Sequence, residues 1–212
     1  MKVIAISDTH NKHDELILPE GDMLIHAGDV SGQGKGLEVE RCLKWFSEQP
    51  FEHKIFIAGN HDFFFERMPE SYILSLIPPN VIYLNDSGVT INGVKIWGSP
   101  VQPWFYDWAF NRQRGSDILK HWDLIPSDTD ILITHGPVHG ILDKTQNGSR
   151  AGCMDLLNTV RRIRPKFSIC GHIHEAYGQE TSLGTTFINA SVLNLQYQLT
   201  NEPVVFEIDN KI

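Results

Sequence analysis

Val3-Ile4-Ala5-Ile6-Ser7-Asp8-Thr9-His10 opens the chain with an apolar run that ends abruptly in residues able to bind a metal. The pattern returns four more times. Met23-Leu24-Ile25-His26 leads to Gly28-Asp29, and Ile55-Phe56-Ile57-Ala58 leads to Gly59-Asn60-His61-Asp62. Ile131-Leu132-Ile133 leads to Thr134-His135-Gly136, and Phe167-Ser168-Ile169-Cys170 leads to Gly171-His172-Ile173-His174. Short, mostly β-branched runs bounded by glycine and polar residues read as buried strands. Laid side by side, such strands put their C-terminal ends on one edge, where open α/β sheets place ligands. The Asp, His and Asn side chains are therefore expected to converge, and a convergent set of that kind is a metal site.

Length and composition fit this reading. The chain has 212 residues, 41% hydrophobic and 21% charged, which is ordinary for one well-buried globular domain spanning 1–212. Its net charge of -8 repels a phosphate backbone, and the one basic cluster, Arg161-Arg162-Ile163-Arg164, falls where a helix C-terminus is expected. Long nucleic acid is thus excluded as a partner. Cys42, Cys153 and Cys170 have no paired spacing and sit among apolar residues, so they read as buried reduced thiols. Met1-Lys2 runs straight into the first strand, and no stretch approaches the ~20 apolar residues that span a bilayer. A cytoplasmic protein with no membrane partner is expected; nothing in the sequence speaks to its oligomeric state.

Along the first half, strands near 3–7, 22–27 and 53–58 alternate with helices. Leu37–Glu48 carries an apolar stripe of Leu37, Cys42, Leu43, Trp45 and Phe46, and a second helix is read over 66–76, ending before Pro78-Pro79. Short strands at 81–84, 89–91 and 94–98 follow, the last two joined by the hairpin signal Asn92-Gly93. Residues 99–115 form a loop dense in aromatics, Trp104, Phe105, Tyr106, Trp108 and Phe110. It reads either as a satellite hydrophobic cluster or as a wall able to stack a planar group. From Asp130 the rhythm resumes with strand 130–134, helix 152–163, strand 167–170, and strands near 185–189 and 203–208. Two strand-helix halves around a meander imply two sheets packed face to face with helices outside.

The chemistry follows from the ligand types. Asp8 and His10 are two residues apart, which in extended backbone puts both side chains on one side, and His172 and His174 repeat the spacing. With Asp29, Asn60 and His135 this makes two carboxylates, one amide and four imidazoles. The set is too large and oxygen-rich for a closed structural zinc site. It suits two divalent ions ~3.5–4 Å apart, the clamp used for displacement at phosphorus.

This ordered set resembles the calcineurin-like metallophosphoesterase superfamily over nearly the whole chain. Gly98-Ser99-Pro100, Pro103-Trp104-Phe105, Thr134-His135-Gly136-Pro137, Gly171-His172-Ile173-His174-Glu175 and Ile188-Asn189-Ala190-Ser191 resemble one branch of it. That branch, the metallophosphoesterase-domain-containing proteins, is similar to class III cyclic-nucleotide phosphodiesterases. The resemblance implies a four-layer α/β/β/α sandwich of two mixed sheets flanked by helices. It also implies a metal-dependent phosphodiesterase acting on small phosphodiesters, cyclic nucleotides among them, by attack of a metal-bridging hydroxide. By motif, Asp8, His10 and His174 would hold the first ion and Asn60, His135 and His172 the second, with Asp29 bridging. His61 would be the general acid, and Asn60 would touch both metal and phosphate. Mn is the expected ion, with Fe, Zn, Co and Ni compatible with the ligands.

One departure stands out. Where many members carry Gly-Asp-x-x-Asp-Arg, this chain reads Gly28-Asp29-Val30-Ser31-Gly32-Gln33. The acid that often orients the catalytic histidine is absent, as is an arginine that can contact phosphate, so other groups must serve. Arg112, Arg114 and Arg150 are candidates for the substrate charge, Arg150 foremost, with Trp104 and His139 as further candidate substrate contacts. His13, His26, His53 and His121 carry no motif and read as packing or surface. The competing functions are a phosphomonoesterase or protein phosphatase, and a non-catalytic scaffold that keeps the fold.

Overall fold

The computed structural model describes residues 1–210. The five apolar runs all form strands. β1 (Lys2–Ile6), β2 (Met23–Ala27) and β3 (His53–Ile57) pair in parallel, with β4 (Ile82–Tyr83) parallel beyond β3. Helix α1 (Gly36–Glu48) joins β2 to β3, and α2 (Phe63–Arg67) and α3 (Glu70–Leu76) join β3 to β4. The hairpin β5 (Ser87–Ile91) and β6 (Val94–Ser99) turns on Asn92 (φ 49°) and Gly93 (φ 77°), the left-handed pair that a tight two-residue hairpin requires. After it come β7 (Gln102–Pro103), β8 (Asn111–Arg112), α4 (Ser116–Trp122), β9 (Ile131–Thr134), α5 (Met154–Ile163) and β10 (Phe167–Cys170). The chain closes with β11 (Gly178–Ser182), β12 (Thr185–Asn189) and β13 (Val204–Glu207). The strands form a sheet of order β13-β1-β2-β3-β4 and a second of order β11-β12-β10-β9-β6-β5.

Alternation along the strands builds the layers. Val3, Ala5, Ile25, Ile55 and Ile57 of the first sheet share one buried cluster with Val94, Ile96, Ile131, Ile133, Ile169 and Ile188 of the second. The intervening residues Ile4, Ile6, Leu24 and Phe56 face the opposite way and pack on Val39, Cys42, Leu43 and Phe46 of α1. Leu132 and Phe187 do the same on the far side, against Ile118 and Trp122 of α4 and Leu156, Leu157 and Val160 of α5. Side chains of period two therefore serve both faces of each sheet, giving the α/β/β/α order. Cys42, Cys153 and Cys170 are free and buried. No helix among the described residues is long and apolar enough to cross a membrane.

Several local readings need correction. The helix expected over 66–76 is two helices, because Pro69 forces Met68 into an extended conformation (φ -85°, ψ 149°) and starts α3. Leu37 does not belong to the buried stripe of α1; it is exposed, and Val39 takes the inward place. The 99–115 loop pairs with itself, Gln102 opposite Asn111 and Pro103 opposite Arg112. Two elements had no readable signal. α4 is too short to show a period, and β11 is a polar edge strand of sequence Gly-Gln-Glu-Thr-Ser.

Candidate metal centre

The parallel strands β1, β2 and β3, and β9 with β10, end on one edge of the sandwich, and the expected site residues follow those ends. The chain does not reach them in extended form. Asp8 (φ 56°), His10 (φ 41°), Asn11 (φ 69°), Asp29 (φ 55°) and His172 (φ 67°) all adopt left-handed backbone, which L-residues disfavour. Strand alternation therefore does not set the directions of Asp8 and His10. A sharp turn just past the strand end does, held by Asp8 N–H to Gly28 O (2.9 Å) and His10 N–H to Asp29 O (3.1 Å). The approach is close enough that a Cβ at Gly59 would collide with Asp29 and His135, and one at Gly171 with Ser7 and Asp8.

Asp8, His10 and His174 form one group, His10, Asp29 and His61 a second, and Asp29, His135 and His172 a third, ligand atoms in each lying within 4.8 Å of one another. Asp29 belongs to two of these groups and lies between His10 Nε2 (3.6 Å) and His135 Nε2 (3.3 Å). Asn60 Oδ1 lies 2.9 Å from His135 Nε2, and Asp8 Oδ1 lies 3.4 Å from His174 Nε2. Asp8 is further fixed by the Ser191 hydroxyl (2.6 Å) and by the His172 N–H (3.0 Å).

The outer nitrogens decide what the inner ones can do. Nδ1 of His10 lies 3.2 Å from Ser31 O, that of His135 2.9 Å from Ala27 O, and that of His174 3.0 Å from Asn194 O. A carbonyl only accepts, so each Nδ1 carries its proton and donates, and in the neutral ring each Nε2 turns a lone pair to the cluster. Those lone pairs meet carboxylate and amide oxygens, and His10 Nε2 is buried with no hydrogen-bond partner. Lone pairs converging on lone pairs require something positive between them. Divalent cations fit this donor set.

Charge coupling says the same. Burial alone would raise the Asp29 pKa, but His135, and after it His10 and His61, hold the carboxyl well below its usual range. Burial opposes protonation of His135, yet Asp29 pushes it up to about 9, and Asp8 does the same for His174. Burial, then the His135 charge, carries His172 down to about 3. Positive charge is drawn into this pocket, whether as protons or as metal.

Asp62, fully buried, ties the loops together. Its oxygens accept from Val30 N–H (3.1 Å), Ser31 N–H (2.9 Å), the Ser31 hydroxyl (2.6 Å) and Gly59 N–H (2.8 Å). His61 is oriented from its own backbone, by N–H to Asp29 Oδ1 (2.8 Å), and from its ring, by Nδ1–H to the carbonyl of Gly32 (2.8 Å). The missing carboxylate is thus replaced by a main-chain oxygen of the same residue. Trp108 lies against the other side of the ring at 4.3 Å.

Beside the cluster, a cavity of about 260 Å³ is lined by His172 together with Gln102, Trp104, Phe105, Arg114 and Thr145. Phe105 packs edge-on against His172 (5.1 Å) and Trp104 is half exposed, whereas Phe110 is buried in the core, so the aromatic loop splits between wall and packing. Arg150 and His139, the other candidate substrate contacts, do not line this cavity. Arg150 bonds Asp143 (2.7 Å) and Gly140 O (2.8 Å), while His139 Nδ1 lies 3.8 Å from Asp143. The buried Asp143 carboxylate, which also accepts from Gly140 and Gly152 N–H, engages both side chains. Arg114 takes the place beside the cavity, steadied by Ala151 O and Gly152 O. Of the histidines without motif, His26 bonds Thr9 and His121 bonds Asp86, both as packing groups. Sequence reading had no signal for Tyr197, which lies near His10 and His174 in a polar tail with no motif.

Comparison with known proteins agrees with this geometry. Residues 1–176 match the family model described as calcineurin-like phosphoesterase. The chain is similar to human metallophosphoesterase domain-containing protein 1, 44% identical over 98% of this chain and 71% of that protein. A UPF0046 protein of Caenorhabditis elegans is 40% identical over 100% of this chain and 76% of its own length. The phosphopantetheinyl hydrolase PptH of Mycobacterium tuberculosis shares the fold, with a TM-score of 0.60 and 17% identity over 92% of this chain and 90% of that one. The chain belongs to the calcineurin-like phosphoesterase family, whose members are metal-dependent phosphoric ester hydrolases.

Proposed function

We propose that this chain hydrolyses small phosphodiesters, cyclic nucleotides among them. Divalent ions, manganese first, would be held by Asp8, His10 and His174 on one side and by Asn60, His135 and His172 on the other, with Asp29 between. Bound there, such ions supply an activated water and offset the charge on the phosphoryl oxygens. The remaining work falls to the chain itself. His61 has its Nδ1–H committed to Gly32 O, which leaves Nε2 as the atom that passes a proton to the departing ester oxygen. Trp108 keeps the ring from rotating and shields it from solvent on one face. Phe105 and Trp104 offer apolar surface for a planar substituent of the ester.

One observation carries the choice of a diester. Among the described residues lining the cavity beside His172, Arg114 is the one cationic side chain. A phosphomonoester brings a charge of about -1.5 to -2 at neutral pH. A diester brings a single charge, which leaves less for the protein lining, with its one cation, to meet beyond what the ions offset. A cytoplasmic setting with a small-molecule partner and no polynucleotide suits the overall charge of -8. Turnover of bis-p-nitrophenyl phosphate against p-nitrophenyl phosphate, with added Mn²⁺, tests the proposal, followed by 2′,3′- and 3′,5′-cyclic nucleotides. Faster turnover of the monoester would sink it.

A further inference from the structure

We infer that Tyr197 is a substrate-binding residue whose phenol hydroxyl donates a hydrogen bond to a non-bridging oxygen of the bound phosphodiester. The inference rests on the phosphodiester reading and deepens it on the side of the centre formed by Asp8, His10 and His174. Residue 197 lies outside the 1–176 segment matched by the family model. Its ring stands edge-on to His10 (4.9 Å, 68°) and to His174 (5.3 Å, 68°), yet 44% of the residue remains exposed. Its hydroxyl bonds no other group among the described residues.

The backbone shows that this placement is imposed. Tyr197 has φ 56°, a left-handed conformation that a bulky aromatic disfavours and that glycine or asparagine would take readily. Asn194 enforces it. Its side-chain oxygen accepts from Gln196 N–H (2.9 Å) and Gln198 N–H (3.0 Å), and its carbonyl accepts from Tyr197 N–H (2.9 Å). The same carbonyl receives Nδ1–H of His174 (3.0 Å). One residue therefore sets both the tautomer of a candidate metal ligand and the turn that carries the phenol. Strain kept at an exposed position beside a reactive centre points to function rather than to packing.

Chemistry selects the hydroxyl over the ring. Phe105 on His172 and Trp108 on His61 already supply aromatic walls. Tyr197 adds a neutral donor beside His10 and His174. A neutral donor recognises a singly charged anion without requiring a second charge.

The test compares manganese-loaded wild type, Tyr197→Phe and Tyr197→Asn. It reads bis-p-nitrophenyl phosphate kinetics, inorganic phosphate affinity by calorimetry, manganese content and Tm. Tyr197→Phe is expected to weaken phosphate binding and kcat/KM about tenfold, with manganese content and Tm unchanged. Tyr197→Asn is expected to lose as much while keeping its Tm, since asparagine accepts the left-handed turn. Wild-type phosphate affinity in Tyr197→Phe would overturn the inference. So would a Tm drop beyond about 5 °C in Tyr197→Asn, which would make the ring a packing element. Wild type that hydrolyses neither diester nor monoester, with phosphate affinity still lost in Tyr197→Phe, would instead remove the phosphodiester reading and leave the Tyr197 contact standing.

Discussion

The loops at the strand ends and the loops that wall the cleft are built on opposite plans. At the strand ends, Asp8, Asp29, Asn60 and His135 are buried, the backbones of Asp8 and Asp29 are turned sharply, and Asp62 alone receives four donors from the adjoining chain. Along 99–115 and 194–198, Trp104, Tyr106, Leu195 and Tyr197 face solvent. The first region has few ways to vary without losing its geometry. The second can exchange side chains at little cost to the fold. Reaction chemistry is thus expected to reside in the rigid edge and substrate choice in the exposed wall.

Substitutions can break or sharpen that contrast. Asp29→Ala should abolish hydrolysis of every ester by about a thousandfold or more and lower bound manganese, as read by assay and elemental analysis. Full manganese content with near-normal turnover would contradict the central place of Asp29. His61→Ala should cost about 10²–10⁴-fold in kcat while metal content stays constant. A loss of metal in step with activity would make His61 a ligand rather than a proton donor.

Asp62→Ala should destabilise the fold by at least about 3 kcal/mol in urea titrations, because buried N–H and O–H donors lose their acceptor. Smaller effects are expected from solution conditions and from the wall. Mn²⁺ at about a hundred times its Kd should add roughly 2.7 kcal/mol of stability, reversed by chelation and visible as a Tm shift. Arg114→Ala should raise KM for bis-p-nitrophenyl phosphate about tenfold with kcat nearly intact. An equal fall in kcat for all substrates would erase the division between the two regions.

The division also explains what could be read in advance. Apolar runs ending in Asp, Asn or His exposed the strands, their parallel order and the residues at the strand ends, because burial on both faces leaves a continuous hydrophobic signature. The break at Pro69 was a local signal that the reading of one helix over 66–76 passed over. α4 and β11 were silent: one is too short for a period, the other too polar for a pattern.

Composition and order along the chain were enough to specify a two-sheet sandwich and the kind of chemistry at its edge. These follow from local burial and charge, which each segment carries within itself. Only the folded molecule decided that Gly32 O orients His61, that Arg114 rather than Arg150 borders the cavity, and that Tyr197 stands beside His10. Those choices depend on which donor meets which acceptor across distant loops. The bond between Arg150 and the buried Asp143 is such a choice, set by a carboxylate that no linear pattern ties to it.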